Sequence, residues 1–133
     1  MPKVPPAATA SEKVLQTHAV AALHRLALEG VPILFAGDMG GGWRSPAAAH
    51  WAKSTGLTAG EPDLRVYGPG GRVLFVELKT PKGRMSDAQL TRHAALAALG
   101  HDVRVLRAGS GEEAAELVVG MVRKWMAGMG QFP

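Results

Sequence analysis

Cysteine is absent from this 133-residue chain, and aromatic residues make up only 5% of it. Without thiols the chain has no disulfides, no thiolate zinc site and no cysteine nucleophile, which fits a reducing cytoplasm. So few aromatic rings argue against a platform on which single-stranded bases stack. No apolar run reaches the roughly 18 residues of a membrane span, and the start of the chain lacks the apolar core of a signal peptide. We therefore expect a cytoplasmic protein that does not cross a membrane.

The composition that remains is typical of a soluble, folded domain. Hydrophobic residues account for 47% of the chain and charged residues for 20%, which is enough to build a core without disulfides. We predict one domain over residues 11–127, with flexible tails over 1–10 and 128–133. The formal net charge is +4, from 15 Lys and Arg against 11 Asp and Glu. That balance weakly favours polyanionic partners.

Hydrophobic spacing predicts the first elements. Ser11 is a predicted N-cap, and apolar residues recur at helical spacing after it. The apolar run 31–36 predicts a strand. A glycine-rich loop over 37–45 and a helical turn over 46–53 are predicted to follow.

Two β-rich runs, 63–67 and 72–79, flank the turn sequence Gly68-Pro69-Gly70-Gly71. Turn chemistry between such runs predicts an antiparallel hairpin. The second run is almost entirely apolar before its charged end. We therefore expect that strand to be buried on both faces, in the middle of a sheet.

Two capping boxes introduce the later helices. Ser86 with Gln89, and Ser110 with Glu113, have the spacing of a serine N-cap and its reciprocal partner. An apolar strand is predicted over 103–106, between the two helices. The resulting order of α, β, β, β, α, β, α predicts an α/β fold with a mixed sheet flanked by helices.

Three charged residues are predicted to converge where the two hairpin strands meet. Glu77 and Lys79 are two apart on a strand, so both side chains point to one face. Asp63 begins the preceding strand, and strand starts meet strand ends in an antiparallel pair. Two carboxylates held that close repel each other unless a proton or a cation lies between them.

Such a site suits a hard divalent cation. Mg²⁺ and Mn²⁺ prefer oxygen ligands, and the backbone carbonyl of Leu78 would offer one more. A lysine beside the metal, here Lys79, orients or deprotonates a water, or stabilises the charge that builds on phosphorus. These residues predict metal-assisted hydrolysis of a phosphodiester, without an organic cofactor.

The segments 60–63 (GEPD) and 76–79 (VELK) resemble the core motif of the PD-(D/E)xK nucleases. The Pro-Asp pair and the Glu-x-Lys are literal, and a hairpin-length spacer separates them. The resemblance implies a restriction-endonuclease-like fold in which Asp63 and Glu77 bind metal and Lys79 is the catalytic lysine.

The flanking segments 11–16 (SEKVLQ), 83–90 (GRMSDAQL) and 100–105 (GHDVRV) are similar to the VRR-NUC branch of that superfamily. This branch includes small standalone phage and bacterial nucleases. The resemblance implies that Glu12 approaches the site from the first helix and Gln89 from the helix after the core strands. It also implies a DNA substrate and a homodimer.

Each of these residues also has a structural interpretation. Asp63 after a proline is compatible with a turn cap, and Glu77 with Lys79 is compatible with a surface ion pair on an edge strand. The capping box alone accounts for Gln89. A favourable charge in the first turn of a helix accounts for Glu12.

The remaining polar residues support weaker hypotheses. Lys82 and Arg84 flank the site and Arg44 ends the glycine-rich loop, so all three are predicted to contact DNA phosphates, or else to be solvated. The five histidines are scattered, and we predict no zinc site from them. The apolar stripe of the last helix is predicted to be core or a dimer face.

We predict a Mg²⁺- or Mn²⁺-dependent endonuclease that cleaves DNA. Within the nucleases, the closest alternative is an enzyme selective for branched DNA such as Holliday junctions. Two alternatives come from other classes: an inactive nucleic-acid-binding module on the same fold, and an interaction protein that uses its last helix. The intact Asp, Glu-x-Lys set favours catalysis, because a purely binding protein has no need to hold two carboxylates beside phosphates.

Overall fold

The computed structural model describes residues 10–38 and 45–128. Most of the two predicted tails lies outside the described residues, as does most of the glycine-rich loop, Arg44 included. Within the described ranges no helix has the length and apolar character that crossing a membrane requires.

Helix α1 (Glu12–Leu28) ends in a turn that shortens the strand after it. The strand predicted over 31–36 begins only at its fourth residue, as β1 (Leu34–Gly37). The reason is that the Val31 N–H donates back to the Leu26 carbonyl at 3.1 Å, so this residue completes the end of the helix.

The predicted hairpin is confirmed. Strand β2 (Leu64–Tyr67) pairs antiparallel with β3 (Val73–Lys79). A single 3₁₀ turn joins the two strands, and Gly70 and Gly71 both adopt positive φ there, 73° and 74°. Side chains other than glycine rarely adopt that conformation, which explains the glycine pair in the turn.

The second half of the chain follows the predicted order. Its elements are α3 (Asp87–Ala98), β4 (Asp102–Arg107) and α4 (Gly111–Gly128). The turn predicted over 46–53 is a full helix, α2 (Pro46–Ser54), which has no buried residue.

One of the two predicted capping boxes is complete. The Ser86 hydroxyl accepts from the Gln89 N–H, and the Gln89 side chain accepts from the Ser86 N–H. At the start of α4 the Glu113 N–H does donate to the serine before it, but the Glu113 carboxylate accepts from Gly109 instead of Ser110. The second box was therefore wrong in its reciprocal half, because the Glu113 carboxylate binds the Gly109 N–H.

The four strands form one mixed sheet in the order β1-β2-β3-β4. β2 runs antiparallel to both β1 and β3, and β4 runs parallel to β3. β3 is therefore an inner strand, and six of its seven residues are buried. The prediction of a central strand covered on both faces is confirmed.

The core lies between one face of the sheet and helices α1 and α4. Leu74, Val76 and Leu78 alternate along β3 toward this face and belong to one apolar cluster with both helices. Val118 and Val122 of α4 are fully buried in that cluster. The stripe of the last helix is thus mainly core, which was one of its two predicted roles.

Candidate active site

The hairpin register brings Asp63 to the end of β3. Leu64 pairs with Val76, so the residue before Leu64 lies beside the charged end of the neighbouring strand. The Asp63 carboxylate accepts a hydrogen bond from the Leu78 N–H, with Oδ2 and N 2.7 Å apart. Asp63 therefore caps the end of the pairing between β2 and β3 and is held next to Glu77.

Glu77 is buried, with 1% of its surface exposed, on the face of the sheet that α3 covers. Gln89 donates to its Oε2 at 3.4 Å, and His93 Nε2 lies 3.1 Å from its Oε1. Both partners come from α3. This helix therefore fixes the direction of the carboxyl group.

The surroundings of Glu77 favour its protonated form. Burial is the largest cause, followed by a hydrogen bond with Asp63 and by the negative charge of Asp63, and together they raise the pKa of Glu77 to about 9. The charge of Lys79 acts in the opposite direction, and that of Glu12 adds to the rise. Strongly shifted pKa values of this kind are common in functional sites.

Lys79 is also buried, with 5% exposed, and its Nζ lies 3.5 Å from Glu12 Oε1. Glu12 is the first residue of α1, so the start of that helix closes the site from the other side. The surface ion pair considered above does not fit, because Glu77 and Lys79 lie on an inner strand and are buried.

The Gln89 side chain completes the capping box and also contacts Glu77. Its Oε1 accepts from the Ser86 N–H at 2.9 Å, which completes the capping box, and its Nε2 donates to Glu77. The amide thus joins the first turn of α3 to the site.

Sequence reasoning missed His93. Its ring is mostly buried against Glu77, and burial is the main cause that lowers its pKa. A signal was present in the sequence: His93 lies four residues after Gln89, on the same face of one helix. Any prediction that brought Gln89 to the site would therefore bring this histidine with it.

A second contact that the sequence did not show joins the Pro-Asp loop to α3. Gly60 has a φ of +83°, and a Cβ there would lie 2.2 Å from the Ala88 carbonyl oxygen, so only glycine fits. The next residue, Glu61, accepts from Arg92 of α3 at 2.9 Å and lies 3.7 Å from Arg65. These contacts hold the loop before Asp63 against the helix that carries Gln89.

The loop between β3 and α3 presents Lys82 and Arg84 to solvent. Arg107 of β4 holds this loop in place by donating to the carbonyls of Thr80 and Gly83 at 3.1 and 2.6 Å. Arg107 therefore has a structural role, whereas the two loop residues are free of such contacts within the described chain and are open to a ligand.

Comparison with known proteins identifies the family. A sequence model of the VRR-NUC domain matches residues 12–109. The chain belongs to the VRR-NUC family. Over 47 residues it is 49% identical to a protein named "Putative nuclease p44" from Acyrthosiphon pisum secondary endosymbiont phage 1. That match covers 35% of this chain and 50% of the phage protein, so the chain spans about half the length of the curated relative that it matches.

Solved structures of this family share the fold. A structure named "VRR_NUC domain protein" aligns with a TM-score of 0.58 and 24% identity, covering 86% of this chain and 89% of its own. Another, named "VRR_NUC domain", aligns with a TM-score of 0.50 and 25% identity over 80% of this chain and 92% of its own. The VRR-NUC chain described here thus has an α/β, restriction-endonuclease-like fold, as its sequence predicted.

Proposed function

We propose that this VRR-NUC protein is a Mg²⁺- or Mn²⁺-dependent endonuclease that hydrolyses phosphodiester bonds in DNA. The observation that carries the proposal is the convergence of Asp63 and a buried Glu77 beside a buried Lys79. Membership of a nuclease-domain family supports it.

The donors at this site fit a divalent cation. Asp63 lies beside Glu77, and its hydrogen bonding and negative charge help to raise the pKa of Glu77. A pair of carboxyls that is stable only with a proton is one that a cation would also stabilise. With the Leu78 carbonyl they would supply hard oxygen ligands for Mg²⁺ or Mn²⁺. When bound, the ion would polarise the phosphate and activate a water.

The proposed ligand set leaves coordination positions to water. Within residues 10–38 and 45–128, no three His, Cys, Asp or Glu side chains form a cluster that could hold a metal, so the proposal rests on Asp63, Glu77 and the Leu78 carbonyl alone. Mg²⁺ commonly keeps several waters when it binds phosphate substrates.

The other side chains have roles that follow from their contacts. The Lys79 ammonium, held near Glu12, is placed to orient a water and to stabilise the negative charge that develops on the phosphate. Gln89 and His93 hold the Glu77 carboxyl in one orientation. Lys82 and Arg84 are exposed beside the site and would contact phosphates of the DNA backbone.

The first test is a cleavage assay with Mg²⁺ or Mn²⁺ on supercoiled, linear, single-stranded and four-way-junction DNA. We expect cleavage by the wild-type protein and a loss of at least about 10²-fold in Lys79→Ala. Cleavage that is unchanged in Lys79→Ala would overturn the assignment of the site. Tight DNA binding without cleavage under any condition would favour the inactive binding module.

Metal binding is tested separately by calorimetry. We expect Mg²⁺ or Mn²⁺ binding in the wild-type protein and its loss in Asp63→Asn. Unchanged binding in that variant would place the metal elsewhere. The homodimer implied by the family resemblance stays a prediction, and sedimentation velocity with and without DNA would test it.

A further inference from the structure

An open cavity of about 410 Å³, the β4–α4 groove, lies between strand β4 and the second half of helix α4. Leu74 is the second residue of β3 and Lys79 is the last, which places the groove about 17 Å along the strand from the candidate active site. None of the roles proposed above uses this space. The residues that line it are Leu74, Arg104, Met121, Lys124 and Trp125.

The floor of the groove is apolar. Leu74 and Trp125 belong to the buried core, and Met121 packs against that core while part of its surface stays exposed. The volume lies within the roughly 300–1,000 Å³ of pockets that hold small ligands. One or two apolar side chains of a partner would therefore fill the groove, whereas a double helix is too wide to enter it.

Among the described residues, the rim of the groove carries more positive than negative charge. Asp102 is the neighbouring carboxylate, and its Oδ2 already accepts from Arg72 at 2.8 Å and from the Trp125 indole at 3.0 Å. Arg104 reaches only Oδ1, at 4.0 Å, and 60% of its side chain is exposed. Lys124 is also exposed and forms no ion pair with another described residue. Both side chains are therefore available to carboxylates of a partner.

The backbone beside the groove is open as well. Among the described strands, β4 pairs with β3 alone and forms one edge of the sheet. Arg104 and Val105, in the middle of this strand, are both exposed. An edge strand presents N–H and C=O groups with which another extended peptide can pair. Nucleic acid has no backbone that matches such an edge.

We propose that the β4–α4 groove binds an acidic segment of a partner protein. The segment lies extended along β4, places an apolar side chain on the floor and pairs its carboxylates with Arg104 and Lys124. A DNA backbone would use these two cations alone and would leave both the apolar floor and the strand edge without a partner. A peptide is therefore the occupant that the groove favours. The inference concerns a second surface and does not depend on nuclease activity.

The test measures the binding of a defined probe to the wild-type protein. The probe is a fluorescein-labelled peptide, Glu-Asp-Leu-Phe-Asp-Glu, and two control peptides replace either its Leu-Phe by Ala-Ala or its four acidic residues by lysine. Fluorescence anisotropy is measured at about 0.15 M salt, where non-specific attraction is screened. We expect a Kd below about 100 µM for the probe and binding at least about tenfold weaker for both controls.

Variants of the lining locate the bound probe. Arg104→Gln combined with Lys124→Gln removes both charges of the rim. The matched control is Arg123→Gln, because Arg123 is the neighbour of Lys124 on α4 but pairs with Glu29 and lies outside the lining. We expect the double variant to bind the probe at least about tenfold more weakly and the control less than about twofold more weakly. Thermal unfolding checks that both variants stay folded.

A third variant tests the floor. Met121→Gln makes the floor polar at nearly constant size, so it should weaken binding of the Leu-Phe probe and leave binding of the Ala-Ala peptide unchanged. Equal binding of the probe by this variant and by the wild-type protein would mean that no apolar side chain enters the groove, and that part of the inference would fall.

The remaining outcomes decide which occupant the groove takes. Probe binding that is unchanged in the double variant, or no stronger than that of the Ala-Ala peptide, would overturn the inference. A double variant that binds duplex DNA less tightly than Arg123→Gln would assign the groove to a DNA backbone instead. A double variant that sediments as a smaller species than the wild-type protein would assign it to a second copy of this chain. Cleavage of DNA by the double variant should stay at the wild-type level.

Discussion

Two carboxyl groups near opposite ends of β3 have opposite surroundings. Glu77, near the end of the strand, is buried beside Asp63, and its pKa is raised to about 9. Asp102 pairs in register with the second residue of β3 and accepts from Arg72 at 2.8 Å and from the Trp125 indole at 3.0 Å. Its hydrogen bond with Arg72 is the largest cause that lowers its pKa.

The difference gives a physical criterion that separates a structural carboxylate from a candidate catalytic one in this protein. Asp102 is ionised among donors and a cation, so its contacts stabilise the fold. Glu77 is placed against another carboxyl in a buried position, where its ionisation is unfavourable unless a cation is added. Such a group costs stability in the metal-free protein, which suggests that its use is chemical.

The largest effect that would test this contrast is on cleavage by Glu77→Gln. Glutamine keeps the size and removes the negative charge, so we expect activity to fall by at least about 10²–10³-fold. Stability without metal at neutral pH should be kept or increased, because glutamine is already neutral, whereas Glu77 must take up a proton when the protein folds. Cleavage assays with Mg²⁺ and thermal unfolding in a chelator measure the two quantities. Activity that survives in this variant would remove Glu77 from the site.

The pH dependence of stability without metal should show the raised pKa directly. Because the folded-state pKa of Glu77, about 9, lies above the ordinary value of 4.5, the folded state holds a proton that the unfolded state releases. That stabilisation is complete below about pH 4.5 and is lost as the pH rises toward 9. We expect Tm in a chelator to fall by at least about 5 °C from pH 5 to pH 9.

Glu77→Gln is the control for this titration, since it has no proton to release at that position. The variant should show a clearly smaller fall in Tm over the same range. Parallel curves for the two proteins would mean that Glu77 is ionised in the folded protein at neutral pH, and the contrast with Asp102 would disappear.

His93 sharpens the comparison, because it is a positioning residue for Glu77. His93→Leu fills the space but leaves Glu77 Oε1 without its hydrogen-bond partner, so we expect cleavage to fall about 10–100-fold and half-maximal activity to require more Mg²⁺. His93→Gln, which keeps a donor, should restore part of both. A purely structural role would instead lower Tm equally in both variants and leave the Mg²⁺ requirement unchanged.

Local patterns predicted that Asp63, Glu77 and Lys79 lie together, and their catalytic roles stay predictions. The spacing of Glu77 and Lys79 on a strand, and the glycine turn that folds Asp63 back to them, are short-range features that the structure reproduces. The capping box of Ser86 and Gln89 was predicted from local spacing, and the structure shows it. The approach of Gln89 to the site was implied only by the family resemblance. The local predictions depend on periodicity and turn chemistry, and each of these is determined by a few consecutive residues.

What the sequence did not predict depends on packing between distant segments. His93 meets Glu77 only because α3 lies across the sheet, and Glu61 meets Arg92 across 31 positions of the chain. The strand predicted from residue 31 begins only at Leu34, because the Val31 N–H donates to the Leu26 carbonyl at the end of α1. A cavity of about 270 Å³ that Ala49 and Ala52 of α2 line together with Asp63 and Gln89 likewise results from how segments pack, and no local pattern indicates it.

The smallest effect that we expect is that of Asp102→Asn, which removes the carboxylate that we interpret as structural in the comparison with Glu77. The asparagine amide lacks the negative charge that pairs with Arg72 and accepts the hydrogen bond of the Trp125 indole. Because Asp102 is partly exposed to solvent, we expect a loss of about 1 kcal/mol in the free energy of unfolding. Urea unfolding at pH 7 measures this loss.

Since the folded-state pKa of Asp102 lies below the ordinary value of 3.8, its contribution is present above pH 3.8 and disappears as the pH falls through the folded value. The difference in stability between Asp102→Asn and the wild-type protein should therefore shrink in acid. Cleavage at pH 7 and saturating Mg²⁺ should stay at the wild-type level, because Asp102 lies toward the other end of β3 from the site. Should cleavage fall together with stability, the two ends of the strand would be coupled, and Asp102 would belong to the machinery that positions Glu77.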